Sequence, residues 1–317
     1  MLVYLSKKQQ LDIPLAKFSH VAVILPCMNE AIAIAKVIAD FKESLPGCKV
    51  YVYDNNSTDN TAEVAEQAGA IVGFEKRPGK GNVVRRMFTE IDAEIYLMAD
   101  GDDTYEAAAA PKMVAAITDG NDMSVGVRSG ALQHHERSGH ALGNTAFNTL
   151  YNLSLGQEFT DIFSGYRGFS RRFVKSFPAL SSGFEIETEL SAHASQLRLP
   201  VVEIPTEYSD RAEGSESKLS TFRDGFRILK TIIVLLKEYK PLYFFGLIAF
   251  VGFLLSVIVF LPVFFRYLED PTTSLIPTAV LSTGIMIVAM LSATAGVVLD
   301  STRRFRAEVK RMFYNLV

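Results

Sequence analysis

Ile95-Tyr96-Leu97-Met98-Ala99-Asp100-Gly101-Asp102-Asp103 passes within a few residues from large apolar side chains to three carboxylates. The apolar part reads as a short strand, and the acids follow straight after it. Upstream, His20 to Pro26, Lys49 to Asn55 and Ala70 to Glu75 are further strand-like runs, and Asp122 to Arg128 is one downstream. Between them lie helix-like segments at Ala31 to Ser44, Ser57 to Ala68, Gly81 to Ile91 and Ala107 to Thr118. Ser57, Thr58 and Asp59 are candidate caps of the second of these. Strands alternating with helices of this length predict a mostly parallel α/β sheet. From Ser129 to Asp210 the alternation fades, leaving helices, loops and one strand at Val201 to Tyr208.

Ligands of an open α/β sheet bind beyond the carboxyl ends of its strands. Asn29 and Glu30 follow the first strand, Asp54 and Asn55 end the second, and Asp100, Asp102 and Asp103 end the fourth. Each position alone suits an ordinary turn or cap, whereas their joint placement points to a site. Carboxylates crowded at one strand end repel unless a hard cation offsets them, which suits Mg2+ or Mn2+ and, as the usual partner of such an ion, a nucleotide diphosphate. Pro78-Gly79-Lys80-Gly81-Asn82 lacks the earlier glycine and the Ser or Thr of a Walker loop. No G-x-G-x-x-G follows the first strand, which argues against a dinucleotide.

The 317-residue chain has a net charge of −3, which excludes a strongly basic nucleic-acid binder. Its two cysteines, Cys27 and Cys48, cannot form a disulfide framework or a paired-cysteine metal site. Hydrophobic residues make up 49% of the chain, more than an ordinary soluble enzyme carries, and the excess is local. Leu242 to Phe265 and Leu275 to Leu299 are free of charge over 24 and 25 residues. A helix of that length reaches roughly 36 Å, beyond the roughly 30 Å hydrocarbon core of a bilayer. Lys237 and Lys240 precede the first span, and Arg303, Arg304, Arg306, Lys310 and Arg311 follow the second; the loop between offers Arg266 against Glu269 and Asp270. The positive-inside rule then puts both ends in the cytosol. Met1 to His20 has no apolar core of secretory length, so no cleaved signal peptide is expected.

Further basic residues fall in Gly/Ser-rich loops: Ser164, Gly165 and Arg167 before Arg171 and Arg172, and Arg211 with Ser217 and Lys218 ahead of the apolar region. On the cytosolic side of a membrane they suit a phosphate carried by a lipid, or attraction to anionic lipid itself. Thr221 to Lys237 has an apolar face wide enough for an in-plane interfacial helix.

With these motifs in view, the chain resembles family 2 glycosyltransferases of the GT-A (Rossmann-like) fold, and within them the polyprenyl-phosphate sugar synthases related to dolichol-phosphate mannose synthase. Pro26-Cys27-Met28-Asn29-Glu30 resembles the family's Pro-x-Tyr-Asn-Glu, with Met28 in place of the aromatic. Asp54-Asn55-Asn56-Ser57-Thr58-Asp59-Asn60-Thr61 resembles Asp-Asp-Gly-Ser-x-Asp-x-Thr, with Asn55 for the second acid. Asp100-Gly101-Asp102 matches the metal-binding Asp-x-Asp, and Thr104 stands where Gln or His is usual. The resemblance implies a cytosolic transferase domain at 1–219, an interfacial helix at 220–240, a transmembrane hairpin at 241–300 and a basic cytosolic tail at 301–317. It implies inverting transfer of one sugar from a UDP- or GDP-sugar to an undecaprenyl or dolichyl phosphate at the inner membrane. Pro26, Met28, Asn29, Glu30, Asp54, Asn55, Lys80, Asp100 and Gly101 would bind the donor, and Asp100 and Asp102 the metal. Asp100, Asp102, Asp103, Arg128 and Arg167 would serve catalysis, and Ser164, Arg167, Arg211, Ser217 and Lys218 would bind the lipid phosphate. Some bacterial members with two spans are tetramers, which implies a homo-oligomer.

A phosphate monoester is already ionised near neutral pH, its second pKa being about 6, so it needs no strong base. A hydroxyl acceptor on a glycolipid or polysaccharide would need one, with Asp161, Glu185 or Glu187 as candidates. The chain has no Trp, so it lacks the Gln-x-x-Arg-Trp motif of processive synthases. A non-catalytic nucleotide-binding scaffold is the third reading; the intact Asp-x-Asp speaks against it.

Overall fold

The computed structural model describes residues 18–129, 159–179, 183, 185–209, 233–234, 236–270 and 275–316. The chain alternates as expected through β1 (Val21–Cys27), α1 (Ile34–Ser44), β2 (Lys49–Asp54), α2 (Thr61–Gln67), β3 (Ile71–Phe74), α3 (Lys80–Glu90), β4 (Ile95–Met98), α4 (Ala110–Thr118) and β5 (Met123–Ser129). Then come β6 (Arg167–Ser170), α5 (Arg171–Ser176), α6 (Ile186–Leu197), β7 (Val201–Glu207) and two long apolar helices, α7 (Pro241–Glu269) and α8 (Ile276–Leu316).

The strands form one seven-stranded sheet in the order β3-β2-β1-β4-β6-β5-β7. β1 pairs in parallel with β2 and β4, β2 with β3, and β5 with β7. β6 runs antiparallel to both β4 and β5, so the sheet is mixed. This strand is absent from the sequence reading because Arg-Gly-Phe-Ser carries no run of β-branched side chains; the slot between β4 and β5 makes it a strand. The register of β1 on β2 sets Cys27 beside Asp54, and that of β4 on β6 sets Met98 beside Arg167. The ends of β1, β2 and β4 and the start of β6 therefore share one edge.

β1 and β4 are buried on both faces, the reason they read as unbroken apolar runs rather than alternating ones. One face is covered by Ile34, Val37, Ile38 and Phe41 of α1 with Met113, Val114 and Ile117 of α4. The other is covered by Val83, Val84, Met87 and Phe88 of α3, Phe173 of α5 and Leu190 and Ala194 of α6. His193 of α6 lies in this second layer, 1% exposed, edge-on to Phe173 and Phe177 and 3.1 Å from the Ser176 hydroxyl. Burial, aided by Lys310, lowers its pKa to about 3. The folded state thus resists a proton that the unfolded chain accepts near pH 6.5, so the stability that neutral His193 brings is complete above pH 6.5 and is lost as the pH falls towards 3. Between pH 6.5 and 4 this amounts to about 3 kcal/mol. Denaturant titrations at the two pH values should show His193→Gln losing less stability than the native chain over that window.

α7 and α8 are long and apolar enough to cross a membrane, and they pack along each other. The Ser256 hydroxyl donates to the Ser282 carbonyl at 2.8 Å, and a Cβ on Gly252 would lie 3.0 Å from that of Ala289. Residues 301–316, within the expected basic tail, continue α8 as helix. The helix persists because this segment lies against the sheet domain, where Tyr314 packs on the core. Residues 210–232, which hold most of the expected interfacial helix, lie outside the described residues.

Candidate active site

The first two motifs are tied together backbone to side chain. Asn29, held at φ 59°, accepts the Thr58 N–H at 2.7 Å on Oδ1, and its own N–H donates to Ser57 Oγ at 2.9 Å. The Glu30 N–H donates to Thr61 Oγ1 at 2.8 Å and that of Ala31 to Asp59 Oδ2 at 3.2 Å. Ser57 and Thr58, expected as caps of α2, are thus spent on the neighbouring loop, and the N-cap position falls to Asn60. Asn55 holds a third segment: its Nδ2 donates to the carbonyls of Glu75 and Arg77 at 2.8 Å, and its Oδ1 accepts the Gly79 N–H at 2.7 Å. Its side chain supports the turn before α3 and leaves Asp54 as the acid of this motif. Asp54 Oδ1 accepts the Ser57 N–H at 3.0 Å, while Oδ2 is buried without a protein partner. A buried carboxylate oxygen of that kind is costly unless a ligand supplies a donor.

The turn pinned by Asn55 delivers Lys80 into the site. Its Nζ lies 2.5 Å from Asp100 Oδ1 and 2.6 Å from Glu187 Oε1, and the lysine and Glu187 side chains are 10% and 5% exposed. Burial opposes the ammonium, but Asp100 and Glu187 together more than offset it, so the lysine pKa is raised and Lys80 stays charged. Glu187 is drawn from the first turn of α6, 107 positions further along the chain (187 − 80). Gly165 closes the far side: a Cβ there would sit 2.6 Å from Asp100 Oδ2 and 3.1 Å from Lys80 Nζ. Its N–H donates to the Tyr105 hydroxyl at 2.9 Å. Gly101 is equally confined, since a Cβ would meet Cys27 Sγ at 2.5 Å.

The three acids after β4 diverge. Asp102 is buried and accepts from Thr104 Oγ1 at 2.6 Å. Asp103, at φ 61°, turns outward to Lys36 at 2.7 Å. Cys27 reports the field at the centre: burial raises its thiol pKa first, then Glu30, Asp100, Asp54 and Asp102. Asp100 and Asp102 offer only hard oxygen donors in this negative field, and that donor set fits a divalent cation sharing its remaining positions with phosphate and water. No closed cage of three or more ligating side chains exists among the described residues.

Arg128 and Arg167 differ from each other. Arg128 grips Asp161 with Nε at 2.7 Å and Nη2 at 2.8 Å, and stacks over Tyr208. Arg167 is fully buried and donates to the carbonyls of Ser164 at 2.8 Å and Ile162 at 2.5 Å and to Ser191 Oγ at 2.8 Å. It shapes the loop 162–165 from beneath and presents no cation to a lipid phosphate in this arrangement. Ser164 is likewise buried and donates to the Gly126 carbonyl at 2.5 Å. Pro26 lies within β1, and Met28 is 42% exposed at its end. Arg211, Ser217 and Lys218 lie outside the described residues. The sequence reading missed Glu187 as the partner of Lys80, and it missed Tyr105, whose ring lies 5.4 Å from Tyr166 and 5.3 Å from Tyr208. An acid in the first turn of a helix was the one available signal for Glu187; an aromatic in an irregular loop carried none for Tyr105.

Residues 22–177 match the glycosyl transferase family 2 domain. The glycosyltransferase AglJ of Haloferax volcanii is 38% identical over 236 residues, 73% of this chain and 76% of that protein. A dolichyl-phosphate hexose transferase of the same organism is 29% identical over 70% of this chain and 96% of its own length. Among solved structures, glucosyl-3-phosphoglycerate synthase of Mycobacterium tuberculosis superposes with a TM-score of 0.55 at 22% identity, covering 68% of this chain and 79% of that one.

Proposed function

Since the chain belongs to glycosyl transferase family 2 and is a hexosyltransferase with a GT-A-like sheet, we propose that its acceptor is a polyprenyl phosphate. The observation that carries this reading is the state of the candidate bases. Of the three candidates, Asp161 is gripped by Arg128 and Glu187 by Lys80, so neither is placed to take a proton from a hydroxyl, which leaves only Glu185, exposed just ahead of α6. A phosphate monoester, ionised near neutral pH, needs no such group. Its oxygen attacks the anomeric carbon, the bond from that carbon to the donor's diphosphate breaks, and the nucleoside diphosphate leaves with the electron pair and with inversion. The relative named as a dolichyl-phosphate hexose transferase supports the same acceptor class.

Asp100 and Asp102 would hold Mg2+ or Mn2+, which when bound supplies Lewis-acid relief of charge on the leaving diphosphate. The mycobacterial synthase is described with Mn2+ and UDP-glucose, which supports a divalent ion and a nucleotide-sugar here. Asp54 Oδ2 awaits a donor from the nucleotide, and Lys80 adds fixed positive charge beside the metal ligands. Arg128 lies at the end of β5 on the same edge, where it can share its charge between Asp161 and the incoming phosphate. α7 and α8 would anchor this domain in the bilayer with the basic flanks on the cytosolic side.

Purified chain should be supplied with UDP-, GDP- and dTDP-sugars, a divalent ion and polyprenyl phosphate. Transfer from one donor class is expected, lost on chelation. No turnover with any donor on the phosphate, beside turnover with a hydroxyl acceptor, would reject the reading.

A further inference from the structure

α8 does not stop where its apolar residues end. Its uncharged run closes at Leu299, yet the helix continues to Leu316. In this extension Lys310 Nζ donates to Gln196 Oε1 at 2.9 Å and Arg311 to the Leu197 carbonyl at 2.6 Å. The Tyr314 hydroxyl donates to Asp122 Oδ2 at 2.7 Å, and the Arg172 guanidinium lies 5.1 Å over the Tyr314 ring. Asp122 is 1% exposed and also accepts from Ser170 Oγ at 2.6 Å. Arg303, Ala307, Lys310 and Tyr314 are half-buried at helical spacing, so one stripe of the helix lies against its neighbours.

These contacts give the domain a direction. Glu187, in the first turn of α6, is in the site, whereas Leu197 ends α6 next to Asp122, ahead of β5. The far tip of α8 therefore touches the edge of the sheet opposite the site. At the boundary end, Gly296 packs against Pro241 and Phe245, and Tyr239, just ahead of that helix, packs on the core. From Asp300 to Tyr314 is about 21 Å of helix, and the seven residues of β5 span about 23 Å. The extension is thus as long as the sheet is deep. Met28, Ile32 and Phe163, all on loops at the site edge, expose large apolar side chains at 42%, 77% and 39%.

We propose that residues 300–316 of α8 are a strut that holds the sheet with its site edge against the bilayer, with Tyr314 and Arg311 as positioning residues and Met28, Ile32 and Phe163 as the membrane-contacting surface. The proposal rests on the reading of α7 and α8 as bilayer anchors and, for its kinetic arm, on the lipid-phosphate acceptor.

The test uses the full chain in phospholipid vesicles, with Cys48→Ser and Ile32→Cys carrying an environment-sensitive fluorophore, and lipid spin-labelled near the headgroup as quencher. Quenching is expected with the intact strut, and Tyr314→Ala/Arg311→Ala should reduce it by at least half. In the same double variant without the label, transfer to vesicle-borne polyprenyl phosphate should fall about tenfold, while transfer to a short water-soluble isoprenyl phosphate stays within about twofold. Should the double variant fail to unfold cooperatively, Tyr314→Phe, which removes only the bond to Asp122, must show the same split at about threefold. No quenching with the strut intact, equal quenching in both chains, or equal loss on both acceptors overturns the proposal. Strut-dependent quenching without transfer to either phosphate by the intact chain upholds the strut and rejects the acceptor reading.

Discussion

Asp102→Ala should lower kcat/KM for sugar transfer by at least about 10³-fold, equivalent to about 4 kcal/mol of lost transition-state stabilisation. The expectation follows from the position of this carboxylate. It is buried, held by Thr104, and the only acid of the run after β4 that shares the inner edge with Asp100. Losing it removes one of two hard donors and halves the charge available to the ion. Folding should change little, because Asp102 lies in the turn after β4, outside the apolar core, where it accepts from the hydroxyl and the N–H of Thr104. Mn2+ binding, followed by electron paramagnetic resonance, should disappear together with the activity. Asp103→Ala is the contrasting variant: Asp103 faces Lys36 at the surface, and its loss should cost no more than a few-fold. Transfer within tenfold of native in Asp102→Ala, or equal losses at both positions, would contradict the metal assignment.

The second large effect comes from a residue with no functional group. Gly165→Ala should lower kcat by about 10²-fold with the fold intact, the cost expected when reacting groups are displaced by about 1 Å. Gly165 is not among the glycines with positive φ, so alanine is conformationally acceptable there. The added methyl instead enters the space of Asp100 Oδ2 and Lys80 Nζ. Either the carboxylate turns from the metal position or the loop 162–165 lifts away from Tyr105. Thermal unfolding and the donor KM should distinguish a moved ligand from a damaged fold: a melting temperature within a few degrees of native beside a collapsed kcat is the expected pair. Native kcat in this variant would mean that Asp100 does not work from the position described.

How much of this was legible in the residues depends on how local each cause was. β1, β4 and their flanking helices were readable because the sheet interior demands apolar side chains, and Ile95-Tyr96-Leu97-Met98 supplies them without interruption. The acids after β4 were readable because strand end and carboxylates are contiguous. β6 was not, because its four residues become a strand only between two others. Arg167 looked like a phosphate ligand since sequence records charge and not depth; its guanidinium instead satisfies carbonyls beneath the loop it follows. Asn55 stood in an acidic motif and serves as a clamp on the turn before α3. The bond between Lys80 and Glu187, and that between Tyr314 and Asp122, join positions far apart in the chain that neither spacing nor composition relates.

The central claim is that sugar passes to a lipid-borne phosphate oxygen, and the linkage in the product tests it most directly. Native chain in vesicles, given polyprenyl phosphate, its active nucleotide-sugar and a divalent ion, should convert the phosphorus-31 signal of the acceptor from monoester to diester. The sugar should be released by mild acid and carry the anomeric configuration opposite to that in the donor. A monoester signal left unchanged while sugar appears on a hydroxyl group would contradict the account.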